Sequence, residues 1–276
     1  MNQETLRGVQ LIQLEIAKEV HRVCLKNNLC VFMLGGTLLG AVRHKGFIPW
    51  DDDFDFGMMR KDYDKFLEIA PIQLGEKYYL LEWKQNKDYP LHMVKIMKKG
   101  TIYKEKNRND KAGHGIWVDL FAYDHIPENL ADQKWQKRKL MVFRALARAK
   151  CKSTTWYTNN GIALDRVLRN IPLHVLSLFL SKDQITRGYE MAAEKFNNSP
   201  CTFFYDNGHD VYEKNIIPAD IYKEYIYLDF EDTSFLAPKE YEKYLEYVFG
   251  DYMTLPPESE RENRHMIEEV DLGTNQ

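Results

Sequence analysis

The sequence predicts a mixed α/β protein on three observations. Segments with apolar residues at helical spacing alternate with short apolar runs that fit strands. Glycine and proline punctuate the borders between them. With 276 residues, 44% hydrophobic and 13% aromatic content, the chain can bury a substantial core, in one large domain or a domain with an appended helical lobe.

The formal net charge of −3 gives no global field that would steer the protein to nucleic acid. Cys24, Cys30, Cys151 and Cys201 show neither a CxxC nor a zinc spacing, so a reduced compartment is the simplest reading. The N-terminal stretch is charged throughout and lacks a secretory apolar core. Ile171 to Leu180, the longest apolar run, is about half of what a bilayer span needs and contains Pro172 and His174. The expectation is a soluble cytoplasmic protein.

Apolar positions from Leu6 to Val23 predict an amphipathic helix over Glu4 to Asn27, packed across the sheet that follows. Val31 to Leu34 reads as a short strand, Gly35 and Gly36 as a tight turn, and about Thr37 to Lys45 as a helix whose first amides point outward as an anion site. Arg43, His44 and Lys45 suit the last turn, where the dipole favours cations, and Gly46 suits a left-handed stop. Pro49 then restarts the chain as an extended segment.

In that segment, period two places Asp51, Asp53 and Asp55 on one face, with Asp52, Phe54 and Phe56 on the other. Carboxylates about 6.6 Å apart along one edge repel one another and keep their charge cheaply only beside a cation. Oxygen-only ligands point to magnesium, manganese or calcium rather than zinc. A glycine pair alone is a weak signal, and an acidic run alone is commonly a solvated face. Their combination in one supersecondary unit points to a metal-phosphate site.

Arg60 to Ala70 reads as a helix ended by Pro71, and Tyr78 to Glu82 and Leu91 to Met97 as strands. Lys95 is a cation on a mostly apolar strand, either snorkelling at a sheet edge or reaching a bound phosphate. Lys104 to Lys111 reads as a charged loop able to cover the site. In GIWVDLFAYD, Asp119 stands inside an apolar strand, which is costly unless the carboxylate is paired or cation-bound, though a turn-capping aspartate would also fit. Asp124 falls at the strand's end.

Lys134 to Lys152 holds eight basic residues and no acidic one at helical spacing, either a solvated face or a contact for an anionic acceptor or the inner membrane surface. Leu164 to Leu180 and Asp183 to Phe196 read as further helices. Cys201 to Tyr205 reads as a strand, Asp206 to His209 as a turn, and Pro238 to Phe249 as a helix stopped by Gly250. His265 is either a surface residue or one that returns to the site.

The run GGTLLGAVRHKGFIPWDDDFDFG resembles the signature of the LicD family, which includes bacterial phosphocholine transferases and the related fukutin-type transferases. HGIWVDLFAYD (His114 to Asp124) is similar to the family's later acidic strand, and Phe230 to His265 to its closing segment; residues about 125 to 215 are the least diagnostic. The resemblance implies an α+β fold, a nucleotidyltransferase-like mixed β-sheet core flanked by helices with a helical insertion. Its expected divisions are a catalytic core over 1–127, a helical lobe over 128–198, and a segment over 199–276 that packs back on the core.

The same resemblance implies Asp53, Asp55 and Asp119 as catalytic carboxylates. Asp51 would join them in holding Mg2+, or Mn2+. Gly35, Gly36 and Thr37 would offer backbone N–H groups, and Thr37 its hydroxyl, to the donor phosphates, with Arg43 or Lys95 adding a charge. The implied donor is CDP-choline and the implied acceptor a sugar hydroxyl of a bacterial surface glycan precursor of teichoic acid or lipopolysaccharide type, possible lipid linkage placing the enzyme at the inner membrane face. CMP would be released, and Asp119 would either complete the metal shell or take the acceptor's proton. Trp83, Tyr89, Trp117 and Trp156 are candidates to cage the quaternary ammonium. A CDP-polyol donor, nucleotidyl transfer, or a silent cation-binding module are the alternatives.

Overall fold

The computed structural model describes residues 1–106, 113–151, 157–158, 161–162, 164–208, 212–263 and 265–273. Helix α1 (Gln3–Lys26) opens the chain, with the Asn2 side chain accepting from Thr5 N–H as its cap. Strand β1 (Phe32–Met33), helix α2 (Gly35–His44), strand β2 (Asp55–Met59) and helix α3 (Arg60–Gln73) follow. Then come β3 (Tyr78–Leu81), β4 (Val94–Lys98), β5 (Ile102–Glu105) and the long β6 (Trp117–Pro127). Helix α4 (Leu130–Lys150), the small strands β7 (Tyr157–Thr158) and β8 (Gly161–Ile162), and helices α5 (Leu164–Phe179) and α6 (Lys182–Glu194) lead to β9 (Cys201–Asp206). Strands β10 (Ile216–Pro218), β11 (Tyr225–Phe230) and β12 (Thr233–Pro238), helix α7 (Tyr241–Phe249) and β13 (Ile267–Asp271) close the described chain.

The architecture is α+β. A mixed sheet runs β10-β9-β6-β2-β1-β12-β11, and β4 and β3 branch from β6. Strand β6 carries both branches because it is long: its first half pairs with β4 and its second with β9, while β2 lies parallel along its other edge. Phe54, Phe56, Phe230 and Phe235 pack edge to face beneath the aspartate segment, with Phe47 against Phe54 and Phe230. No helix among the described residues is long and apolar enough to cross a membrane.

Several expected borders move. The left-handed residue after α2 is Lys45 (φ 58°) rather than Gly46. A Cβ on Gly46 would instead lie 2.5 Å from a Glu231 carboxylate oxygen, so close approach is what requires this glycine. Pro49 and Trp50 form a turn closed by Asp51 N–H on the Ile48 carbonyl, and the regular strand begins only at Asp55. Helix α3 continues through Pro71 to Gln73: proline removes one amide bond, yet Leu74 N–H still closes the last turn on Ala70. Strand β4 begins at Val94 instead of Leu91, and Pro238 ends β12, so α7 starts at Tyr241. Gly250, with φ 69°, does end that helix.

Candidate functional site

The aspartate segment is positioned from behind. Two buried glutamines of α1 reach its backbone, Gln10 Nε2 donating to the Asp51 carbonyl (2.9 Å) and Gln13 Nε2 to that of Asp52 (2.8 Å). Because Phe54 and Phe56 are drawn into the aromatic cluster, the alternating residues Asp51, Asp53 and Asp55 face the other way and line a cavity of about 260 Å³. The alternation therefore holds although Asp51 to Phe54 form no regular strand.

Asp119 lines the same cavity. Sheet register sets it beside Asp55 on one edge and beside Lys95 on the other. Lys95 is only 2% exposed and sits between β3 and β6, so it is neither snorkelling nor at an edge. Its Nζ lies 2.9 Å from Asp119 Oδ1 and 3.8 Å from the centroid of the Trp117 ring, and Trp117 Nε1 donates to Asp119 Oδ2 at 2.9 Å. Burial pushes the Asp55 carboxyl well above its usual range, and the charges of Asp53, Asp119 and Asp51 push it further against Lys95.

Gly35 and Gly36 bring the N-terminus of α2 to this cavity. Gly35 takes a φ of 55°, which favours glycine, and a Cβ on Gly36 would stand 2.6 Å from Asp51 Oδ2, so a larger residue there would displace that carboxylate. The Gly35 N–H is already met by the Tyr244 hydroxyl at 2.9 Å. The helix's first internal bond is Leu38 N–H on Leu34, which leaves Gly36 and Thr37 with N–H groups that have no partner inside the helix. Thr37 itself is buried, and its hydroxyl accepts from Asp55 N–H (2.8 Å), fastening α2 to β2. Arg43 does not line the carboxylate cavity; it donates to the Tyr252 carbonyl (2.8 Å) and borders a neighbouring cavity of about 320 Å³.

His265 arrives from the far end of the chain because β13 pairs with β5. Its Nδ1 is 3.1 Å from Oδ1 of the fully buried Asp52, whose Oδ2 accepts from the Tyr103 hydroxyl at 2.7 Å. Burial opposes its charge, but the hydrogen bond and charge of Asp52, with Asp53 beyond, raise the imidazole to about 9. At neutral pH the cavity thus holds an imidazolium. Asp52 and Tyr103 went unrecognised in the sequence, since their pairing joins residues distant in the chain.

Asp124 lies inside β6, not at its end, and is a structural carboxylate. Arg60 grips it through Nε (2.8 Å) and Nη2 (2.6 Å), and Asn197 Nδ2 donates at 2.7 Å. Of the basic helix, Arg144 is buried and bonds the Tyr205 hydroxyl and the Asn207 carbonyl. Trp83, Tyr89 and Trp117 are buried and do not line the carboxylate cavity, although Trp117 backs Asp119 and His265 from behind its wall. Trp156, Lys152, His209, Arg264 and the loop residues from 107 to 111 lie outside the described residues, and Lys104 and Glu105 belong to β5.

The donor set suits a hard divalent cation: all four carboxylates offer oxygen, and the raised Asp55 marks surplus negative charge. Among the described residues, no group of three or more His, Cys, Asp or Glu side chains is arranged so that it could hold a metal ion by itself. Substrate oxygens or waters would have to complete any shell here.

Comparison with known proteins agrees with this frame. Residues 28–153, which include α2, the aspartate segment and β6, match the family described as LicD/FKTN/FKRP, nucleotidyltransferase domain. Over 275 residues the chain is 29% identical to the lipopolysaccharide cholinephosphotransferase LicD of Haemophilus influenzae, covering 97% of this chain and 98% of that one. An uncharacterized protein of Rickettsia typhi is 38% identical over 117 residues, 42% of this chain and 35% of its own length. Residues 28–153 thus carry a LicD-family domain.

Proposed function

We propose that this transferase moves phosphocholine from CDP-choline to a sugar hydroxyl of a bacterial surface glycan of lipopolysaccharide or teichoic acid type, releasing CMP. The observation that carries the reading is one cavity in which four aspartates meet the glycine-opened N-terminus of α2. The near full-length likeness to a cholinephosphotransferase supports the choice of transferred group.

In this reading Asp53, Asp55, Asp51 and Asp119 would hold Mg2+ or Mn2+. The ion's chemistry would be to neutralise charge on the donor pyrophosphate. The Gly36 and Thr37 amides contact donor phosphate oxygens at the positive end of α2. The His265 imidazolium, fixed by Asp52, contributes a second cation, and Lys95 keeps Asp119 oriented. Asp119 completes the metal shell or accepts the proton of the attacking hydroxyl.

Calorimetric titration of CDP-choline with and without Mg2+, repeated on Asp53→Asn, tests this. Magnesium-dependent binding that disappears in the variant is expected, followed by CMP release on addition of acceptor. A nucleotidylated acceptor with pyrophosphate release would replace this reading by nucleotidyl transfer. Tight binding of a CDP-polyol in place of CDP-choline would keep the chemistry and change the donor.

A further inference from the structure

The carboxylates occupy only part of their cavity. Beyond Asp119 on the same face of β6 stands Phe121, and the next residue in that row, Tyr123, pairs with Asp206 of β9. Phe121, Asp206, Tyr244 and Phe249 all line the cavity, and Val248 and Ile217 add aliphatic wall.

We propose that this recess is a quaternary-ammonium subsite, in which Phe121, Tyr244 and Phe249 surround the trimethylammonium of the donor and Asp206 balances its charge. The proposal rests on the donor reading above and adds the residues that select choline. A trimethylammonium has no N–H to donate, so it is recognised by aromatic faces and a nearby carboxylate rather than by directed hydrogen bonds.

Asp206 fits that part. It is 7% exposed, and among the described residues the Gly208 N–H (2.8 Å to Oδ1) is its one hydrogen-bond donor. Arg144, the nearest cation acting on it, is committed to the Tyr205 hydroxyl and to the Asn207 and Gly208 carbonyls. Burial therefore lifts Asp206 to about 7, and a bound cation would stabilise its charged form.

The recess is also fixed relative to the phosphate end. The Tyr244 hydroxyl accepts the Gly35 N–H while its ring lines the cavity, so one side chain ties the aromatic wall to the start of α2. Choline's two-carbon tether requires ammonium and phosphate sites in one continuous cavity. A polyol could bond Asp206 and Tyr244, but Phe121, Phe249, Val248 and Ile217 offer no side-chain partner to its remaining hydroxyls. The neighbouring cavity also has aromatic and acidic lining, including Trp50, Tyr252, Asp251, Glu260 and Glu262, but Arg43 borders it and Arg261 already lies 5.4 Å from the centroid of its Trp50 ring.

Calorimetric affinities for CDP-choline and CDP, measured in Mg2+ on the full chain, test the assignment. The wild type should bind CDP-choline about 10-fold more tightly than CDP, the scale of one desolvated cation–π contact with its counter-charge. Asp206→Asn and Phe249→Leu should each erase most of that preference and leave CDP affinity within about 2-fold. Phe121→Leu is the third variant, and thermal melts check that each is folded. Equal wild-type affinity for the two nucleotides, or variants that lose both in parallel, would overturn the subsite while leaving the donor-phosphate reading intact. Wild-type protein that binds neither would overturn both.

Discussion

Strand β6 carries two buried aspartates, and their surroundings could hardly differ more. Asp119 and Asp124 differ in position by an odd number along the strand, so they point to opposite faces of the sheet. Asp124 is fully enclosed and fully answered: a two-pronged Arg60 and an Asn197 amide take its oxygens. Asp119 shares its side with Asp51, Asp53 and Asp55, against Lys95 and the His265 imidazolium. One face solves its electrostatics within the chain, and the other is left short of positive charge. A fold has no reason to keep four acids together for stability, because each lowers the others' tolerance for charge. That contrast separates a carboxylate held in a closed ion pair from carboxylates gathered at the wall of a cavity.

The largest effect expected from breaking this contrast is on turnover. Asp55→Asn should reduce CMP release by about 10³-fold, as losing one preorganised electrostatic partner does. Its folding stability at pH 7.5 should stay level or rise. The sign follows from the raised Asp55 carboxyl: its contribution to stability is present at low pH and lost as pH climbs through the folded value, so a neutral amide relieves the wild type of a cost. Urea unfolding beside the kinetic assay checks both halves, and a marked loss of stability in Asp55→Asn would erase the distinction between the two faces.

Arg60→Met comes next and should invert the pattern. Removing one partner of a buried ion pair strands the other, at about 3–5 kcal/mol. Adding Asp124→Asn to that variant should recover part of the loss, since the stranded charge is then gone. Per folded molecule, CDP-choline binding should remain near wild type in the double variant. If Arg60→Met unfolds no more readily than the wild type, the pair contributes nothing to stability and the comparison loses its structural half.

How much of this was readable beforehand divides along the same line. The alternation that sends Asp51, Asp53 and Asp55 one way and Phe54 and Phe56 the other is a local property, so it was legible even where the regular strand was misplaced. The glycine pair was legible for the same reason, and Asp119 through its place inside an apolar strand together with the upstream aspartates and the family resemblance. Contacts made by distant residues were not. Nothing in WDDDFD marks Asp52 as the partner of Tyr103 and His265, and that meeting depends on β13 pairing with β5. Gln10 and Gln13 carry no local signal that sets them apart from other polar residues of α1, yet they hold the aspartate backbone. Whether Lys95 sat at an edge or reached a phosphate stayed open because a single strand does not reveal its neighbours, and β4 is flanked by both β3 and β6. The element borders failed where one residue could stop a helix in two ways, as at Lys45 and Gly46.

The smallest predicted effects concern pH, and they sharpen the contrast because the two faces titrate in opposite senses. Near Arg60, the imidazole of His92 stacks on Tyr189 (centroids 3.5 Å apart) and meets the edge of Trp83, with neither ring nitrogen hydrogen-bonded among the described residues. Burial, then the charges of Arg144, Arg148, Lys182 and Arg60, push it well below its ordinary 6.5. Below about pH 6.5 the unfolded chain therefore takes up a proton that the folded protein refuses, and stability falls as the solution becomes more acid. His92→Phe keeps the stacking surface and removes that proton, so its stability relative to wild type should grow from pH 7 to pH 5. In the recess of the other face, Asp206 is raised to about 7 from an ordinary 3.8. Its contribution is complete below about pH 4 and is lost as pH rises through about 7, so the relative stability of Asp206→Asn should grow from pH 4 to pH 8. Thermal melts of both variants across this range give two curves of opposite slope if the assignment of faces is right. A flat His92→Phe curve would mean that the imidazole finds a proton partner in the folded state, and a flat Asp206→Asn curve would mean that the recess already neutralises its carboxylate from within.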